Sequence, residues 1–210
     1  MIKPTREDFL LTVRKASFRI PEASPVRVRR EVNGETVWDP HVTEEKTVYT
    51  RLADSNLLLT DLSFRNAAGL TVLTELTEYR DYPVVSVESS VKNPSEAAFA
   101  VQRMIAFKQE FCGDFCGLYS SGAEDAYLPC YTAGNALTLE FDDHTVFLDC
   151  PGTAASVYPT PLGVEVLFLT DDHVIPPQGE IRLPKITVMV TEGGRERSAA
   201  LFAAFKKKHC

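Results

Sequence analysis

A two-residue alternation of apolar and polar side chains constrains the fold more than any other feature of this sequence. From Val84 to Val91, valines occupy positions 85, 87 and 91, and positions 86, 88 and 90 hold serine or glutamate. In an extended strand this pattern places the valines on one face and the polar side chains on the other. Antiparallel sheets tolerate one face in water and one face against a core. The segment therefore predicts a half-buried antiparallel strand.

Similar runs recur along most of the chain. They are Lys46 to Leu52, Asn56 to Phe64, Leu70 to Glu78, Phe99 to Phe107, Ala136 to Phe141, Thr145 to Leu148, Val164 to Thr170 and Ile186 to Thr191. Asn33-Gly34 lies between two shorter runs, and this dipeptide favours the tight turn of a hairpin, here spanning residues 26–38. Because almost no helix-period segments lie between these runs, a βαβ fold is excluded.

The predicted fold is all-β. Two antiparallel sheets that pack dry face to dry face form a large sandwich, and 210 residues suffice for its core. A closed barrel has similar alternation and stays open as an alternative. Glu110 to Asn135 lacks the alternation and is predicted to be a long loop, whereas Glu196 to Lys208 predicts a single helix. The expected domains are a β-sandwich over 1–194 and a C-terminal helix over 195–210.

Charge and cysteine content limit the partners and the compartment. Lys and Arg number 22 against 29 Asp and Glu, so the net charge of −7 disfavours nucleic acid and anionic membranes as partners. No apolar run approaches the roughly 20 residues of a membrane span, and the N-terminus lacks a signal-peptide core. Five cysteines without compact spacing predict free thiols in the cytoplasm. No second Cys/His pair accompanies Cys112 and Cys116, so neither a metal nor another cofactor is expected.

Two segments resemble a known family. Residues 70–98, LTVLTELTEYRDYPVVSVESSVKNPSEAA, follow the order strand, aromatic residue, Arg-Asp-Tyr-Pro, strand and Asn-Pro turn. Residues 175–206 follow with Pro-Pro-Gln-Gly-Glu, a strand and a helix. This order resembles the N-terminal β-supersandwich domain of family 36 glycoside hydrolases, the α-galactosidase-like enzymes, whose architecture is mutarotase-like. The resemblance gives Asp81 and Pro83 a role in shaping the connection between strands, and Tyr79 and Tyr82 a role in packing it.

The same resemblance disfavours catalysis by this chain alone. In that family the two catalytic aspartates lie in a (β/α)8 barrel, and such a barrel needs roughly 250 residues by itself. The leading hypothesis is therefore a non-catalytic accessory domain that supports oligomerisation or lines a sugar site together with a separate catalytic partner. The alternatives are a free-standing carbohydrate-binding module, a mutarotase-like sugar epimerase and a dimer that uses a sheet face.

Candidate catalytic residues are few. Asp142-Asp143-His144 lies between two strand patterns and predicts a hairpin turn. Asp172 and His173 follow the strand Val164 to Thr170, and with Glu165 they are the weak candidates for acid–base chemistry on a sugar.

Candidate sugar-binding residues are aromatic, because pyranose rings stack on exposed aromatic side chains. Trp38, the only tryptophan, follows the predicted hairpin together with Asp39. Tyr119, Tyr127 and Tyr131 form a second group in the predicted long loop. These five residues are the predicted ligand-binding set.

Overall fold

The computed structural model describes most of the chain from Thr43 onward and shorter segments before it. The described residues are 2–4, 8–13, 16–21, 29–32, 35–38, 43–66, 69–101, 104–120, 131–133, 136–152, 155–170 and 173–209. Side chains are described from Tyr49 onward, except at positions 64, 66, 105 and 131–133.

Strands and one C-terminal helix make up the described elements. In chain order they are β1 (Ile2–Pro4), β2 (Asp8–Val13), β3 (Ala16–Pro21), β4 (Arg29–Val32), β5 (Glu35–Trp38), β6 (Thr43–Leu52), β7 (Leu57–Asn66), β8 (Thr71–Tyr79), β9 (Val84–Lys92), β10 (Phe99–Val101), β11 (Met104–Cys112), β12 (Phe115–Ser120), β13 (Tyr131–Ala133), β14 (Ala136–Phe141), β15 (His144–Asp149), β16 (Ala155–Thr160), β17 (Gly163–Thr170), β18 (His173–Ile175), β19 (Glu180–Arg182), β20 (Ile186–Glu192) and α1 (Arg195–His209).

Two antiparallel sheets dominate the described residues. The main sheet has nine strands in the order β12-β14-β15-β20-β9-β8-β7-β6, with β19 paired to β9 beside β20. The small sheet has four strands in the order β11-β17-β16-β13. The remaining strands form the sheet β1-β2-β3 and the pairs β4-β5 and β10-β18.

The principal core lies between the main sheet and the small sheet. The main sheet contributes Val72, Leu76, Val85, Leu139, Leu148 and Val188 to it, and the small sheet contributes Met104, Phe107, Phe111, Val157, Val166 and Phe168. Burial of apolar area of this kind is the main favourable term in folding. The predicted two-sheet sandwich is confirmed, and so is the burial of Val85, Val87 and Val91 on one face of β9.

Helix α1 packs on the other face of the main sheet, which we call the outer face. Phe202 and Phe205 are buried there against Tyr79, Val84 and Met189. At the start of the helix, the Ser198 hydroxyl hydrogen-bonds the Thr191 hydroxyl of β20. The helix predicted over Glu196 to Lys208 is therefore present. It also covers part of a face that the alternation alone predicts to be wet.

The connection from β8 to β9 receives the C-terminal end of α1. The rings of Tyr79 and Tyr82 lie 4.8 and 5.6 Å from that of Phe205 in edge-to-face geometry. The Asp81 carboxylate accepts hydrogen bonds from Lys208 Nζ at 2.6 Å and His209 Nε2 at 3.1 Å. Tyr79 and Tyr82 thus pack the helix onto the sheet, and Asp81 binds its last turn, where the helix dipole also favours cations.

The Asp81 contact predicts a pH-dependent stability. The hydrogen bond from Lys208 holds the pKa of Asp81 below its ordinary value of 3.8; burial opposes this shift and His209 adds to it. A carboxyl group whose pKa is lower in the folded protein than in the unfolded chain stabilises the fold fully at pH values above its unfolded pKa. This stabilisation is lost as the pH falls through the pKa of the folded state. Asp81→Asn is therefore expected to be less stable than wild type at neutral pH, by a margin that closes at about pH 2. Urea unfolding at both pH values measures this margin, and a margin that persists in acid, or that Glu96→Gln reproduces, would contradict the assignment.

Two predicted hairpins can be compared with the strands. Strands β4 and β5 pair with Val32 opposite Glu35, which confirms the hairpin over residues 29–38. Residues 26–28, Asn33 and Gly34 lie outside the described residues. Strands β14 and β15 form the hairpin predicted around Asp142-Asp143.

The long loop predicted from Glu110 to Asn135 is wrong for residues 110–112, 115–120 and 131–133, which lie in β11, β12 and β13. Strand β12 pairs with β14, and residues 121–130 and 134–135 lie outside the described residues. A bulge between Phe115 and Gly117 interrupts the alternation of apolar and polar residues in β12. The period-two pattern therefore does not identify this strand.

Within the described residues, no helix combines the length and the apolar character needed to cross a membrane.

Candidate functional site

A groove of about 400 Å³ lies on the outer face of the main sheet. Strands β6 to β9 and β19 supply its lining. Along β8, Tyr79 contacts α1, whereas Glu75 and Leu73, four and six residues earlier on the same face, line the groove. The helix and the groove therefore occupy different ends of one sheet face.

Strand register arranges the groove side chains in two rows. In the first row, Asp61 lies opposite both Tyr49 and Glu75, and Glu75 lies opposite Glu88. The second row consists of Ser63, Leu73, Ser90 and Arg182, each opposite the next. Neighbouring side chains on one face of an antiparallel pair stand about 5 Å apart at Cβ, so each row forms a continuous line across the strands.

The first row places three carboxylates in direct cross-strand positions. Like charges in such positions destabilise a sheet. Arg51 partly compensates, because its Nε lies 3.4 Å from Asp61 Oδ2 and its Nη2 lies 3.3 Å from Glu75 Oε2. Neither Glu88 nor Arg182 forms a salt bridge with another described residue. The first row thus holds two carboxylates paired with one guanidinium and a half-buried carboxylate without such a partner, and Glu180 of β19 is a fourth carboxylate in the groove lining.

Exposed apolar side chains stand among these charges. Tyr49 is 64% exposed and Leu73 is 41% exposed, and both line the groove. An isolated exposed apolar residue is ordinary on a protein surface. Their position beside carboxylates, serines and an arginine gives the groove both apolar contacts and hydrogen-bonding groups.

Tyr119 lies on the outer face of β12, outside the groove. Its hydroxyl donates to Glu140 Oε2 at 3.2 Å, and the guanidinium of Arg195 lies 4.0 Å from its ring centroid. This cation–π contact joins the start of α1 to the sheet. One face of the Tyr119 ring is therefore occupied within the protein, and sugar stacking on this residue stays a prediction.

Cys116 lies near the same end of the sheet, at the bulge of β12. Its thiol donates to Asp142 Oδ1 at 3.0 Å. That hydrogen bond, with partial desolvation of the thiol and the charges of the surrounding carboxylates, raises the pKa of Cys116 to about 11. The thiolate is the reactive form of cysteine, so this exposed thiol is a poor nucleophile at neutral pH.

The remaining predicted residues are dispersed. Glu165 lies on β17 with its carboxylate 3.0 Å from Lys108 Nζ, and His173 begins β18 opposite Val101. Trp38 ends β5 and Tyr131 begins β13, but their side chains lie outside the description, as do Asp39, Tyr127 and Asp172 altogether. Among the described residues, no group of three or more His, Cys, Asp or Glu side chains is arranged to hold a metal.

The groove residues were not predicted from the sequence. Tyr49, Asp61, Glu75 and Glu88 each occupy an outward position in a predicted strand, and nothing local separates them from ordinary surface residues. Only the register of β6 to β9 brings them into one row. A useful signal would have been the outward position of an acidic residue in three successive strands.

Comparison with known proteins gives a match in structure only. No protein-family model and no curated protein matches the sequence. Among solved structures, the chain is similar to the GH36 α-galactosidase AgaB from Geobacillus stearothermophilus, with a TM-score of 0.72 and 11% identity over 96% of this chain and 42% of that one. It is also similar to the α-N-acetylgalactosaminidase NagBb from Bifidobacterium bifidum, with a TM-score of 0.66 and 10% identity over 99% of this chain and 39% of that one.

A third similar structure is the α-galactosidase from Lactobacillus brevis, with a TM-score of 0.62 and 11% identity over 92% of this chain and 34% of that one. The chain spans less than half the length of each of these three enzymes. The matches confirm, at the level of the fold, the resemblance to the N-terminal sandwich domain of family 36 glycoside hydrolases.

Proposed function

We propose that this β-sandwich is a non-catalytic accessory domain that works beside the catalytic barrel of an α-galactosidase-like glycoside hydrolase. The observation that carries the proposal is the extent of the structural match. It covers 96% of this chain but only 42% of AgaB, and the described residues form a sandwich and a helix instead of a (β/α)8 barrel. The barrel residues that perform hydrolysis have no counterpart in these elements.

The placement of the carboxylates supports a role without hydrolysis. Glycoside hydrolysis needs two carboxyl groups that flank the scissile bond, in a site that admits the reacting water but excludes bulk solvent. Asp61 and Glu75 stand side by side on one face of a sheet and are 41% and 42% exposed. Glu165 is on the small sheet and pairs with Lys108. Neither arrangement encloses a substrate.

The test is an assay of the purified chain with an aryl α-galactoside, using an active α-galactosidase as the positive control. The expected result is no hydrolysis above the uncatalysed background. If the purified chain hydrolyses the substrate and Glu165→Gln or Asp172→Asn abolishes this activity, the proposal is wrong. Glu165→Gln, His173→Gln and His144→Gln, assayed for interconversion of sugar anomers, test the alternative that Glu165 with His173 or His144 supports a mutarotase-like epimerase.

A further inference from the structure

We propose that the outer-face groove is a binding site for a neutral saccharide, with Tyr49 and Leu73 contacting the ring face and with Glu88 and Arg182 binding hydroxyl groups. This inference rests on the accessory function proposed above and gives that function a location. It does not concern the barrel-type active site of the family.

The mixed lining of the groove matches the chemistry of a sugar. A pyranose has hydroxyls that both donate and accept hydrogen bonds, and it has apolar C–H faces that pack on aromatic and aliphatic side chains. Carboxylates only accept, and guanidinium groups only donate. Glu88 and Arg182 lie in neighbouring rows, and no salt bridge to a described residue occupies either group. A hydroxyl ligand can therefore use both.

The carboxylate row is costly to the fold, which favours a role in binding. Asp61, Glu75 and Glu88 repel each other in consecutive cross-strand positions, and Arg51 contacts only the first two. Arrangements that break a local rule of this kind are expected at functional or strained sites. Glu88 is the member whose charge no described salt bridge offsets, so its carboxylate is available to a ligand that donates hydrogen bonds to it.

The dimensions of the groove fit a short saccharide. Ligand sites in proteins usually have volumes of about 300–1,000 Å³. The groove, at about 400 Å³, lies at the small end of that range and is open along the sheet face. Tyr49 stands at one end of the first row, at the outermost strand of the described sheet, where a ring is accessible for stacking.

The experiment is isothermal titration of the full chain with raffinose and with maltotriose, to compare a galactoside with a glucan. The groove variants are Glu88→Gln and Tyr49→Ala. Glu96→Gln, in an exposed loop, and Tyr158→Ala, an exposed strand tyrosine of the small sheet, are the matched controls. At least one sugar is expected to bind, each groove variant to bind it about tenfold more weakly, and both controls to bind it like wild type.

The Glu88→Gln variant distinguishes a specific loss of sugar binding from a loss caused by misfolding. It removes a like-charge repulsion, so its melting temperature is expected to be no lower than that of wild type. Sugar binding that both groove variants retain would overturn this inference and leave the accessory function standing. Binding of neither sugar would also overturn the inference. The assay with the aryl α-galactoside tests the accessory function separately.

Discussion

Phe205→Ala is expected to lower the free energy of unfolding by about 3–5 kcal/mol, the usual cost of removing a fully buried phenylalanine. Phe205 is only 1% exposed, and its ring contacts those of Tyr79, Tyr82 and Phe202 at centroid distances of 4.8, 5.6 and 6.0 Å. The helix has few other apolar anchors on the sheet. We therefore expect α1 to separate from the outer face in this variant.

Urea unfolding followed by circular dichroism measures the loss, and hydrogen exchange of the α1 amides shows whether the helix opens before the sheets do. Lys207→Ala is the matched control, because Lys207 is exposed on the same turn and its replacement should change stability by less than about 0.5 kcal/mol. A loss below about 1 kcal/mol for Phe205→Ala would show that the aromatic cluster does not hold the helix.

Gly163→Ala is expected to cost more than about 3 kcal/mol, because the added methyl group would meet the backbone of a neighbouring strand. A Cβ atom at Gly163 would lie 2.1 Å from the carbonyl oxygen of Phe111 and 3.0 Å from the Cα of Cys112. Gly163 pairs with Cys112 at the end of the β11–β17 ladder, so relief requires the ladder to open there.

Gly152→Ala separates this clash from the general cost of replacing a glycine. Gly152 has a φ of +79°, and a Cβ there would have no heavy atom within 4 Å. Its replacement should therefore cost only the backbone strain, about 1–2 kcal/mol. Thermal unfolding of the two variants compares the effects. Equal losses would mean that the end of the β11–β17 ladder adjusts to accommodate the methyl group.

Much of the fold could be predicted from local sequence patterns. The alternation in residues 84–91 and the alanine-rich segment from Glu196 to Lys208 each predict their element, because both signals lie within a few consecutive residues. The partners of each strand could not be predicted. Phe99 to Phe107 reads as one strand, but it divides into β10 and β11, which pair with β18 and β17 in different sheets. Hydrophobic periodicity identifies a buried face but not the strand that will pair beside it.

The candidate groove was beyond prediction for the same reason. Tyr49, Asp61, Glu75 and Glu88 are separated by 12 to 14 residues along the chain and meet only through the register of four strands. Ser86 illustrates the converse. The alternation places it on the wet face of β9, yet it is buried beside Thr187, with 3.3 Å between the two hydroxyl oxygens. Burial of that face depends on α1 and β20, which lie about a hundred residues away.

The position of β20 also sets the order in which the protein can assemble. Among the described strands, β20 is the last, and it lies between β9 and β15, which come from the two earlier parts of the main sheet. While the chain is being synthesised, two groups of main-sheet strands emerge first with open edges: β6 to β9, and then β12, β14 and β15. Only when residues 186–192 leave the ribosome can those groups share a hydrogen-bonded neighbour. We therefore expect folding to be slow and dominated by long-range pairing, and nascent chains to expose two strand edges that are prone to aggregation.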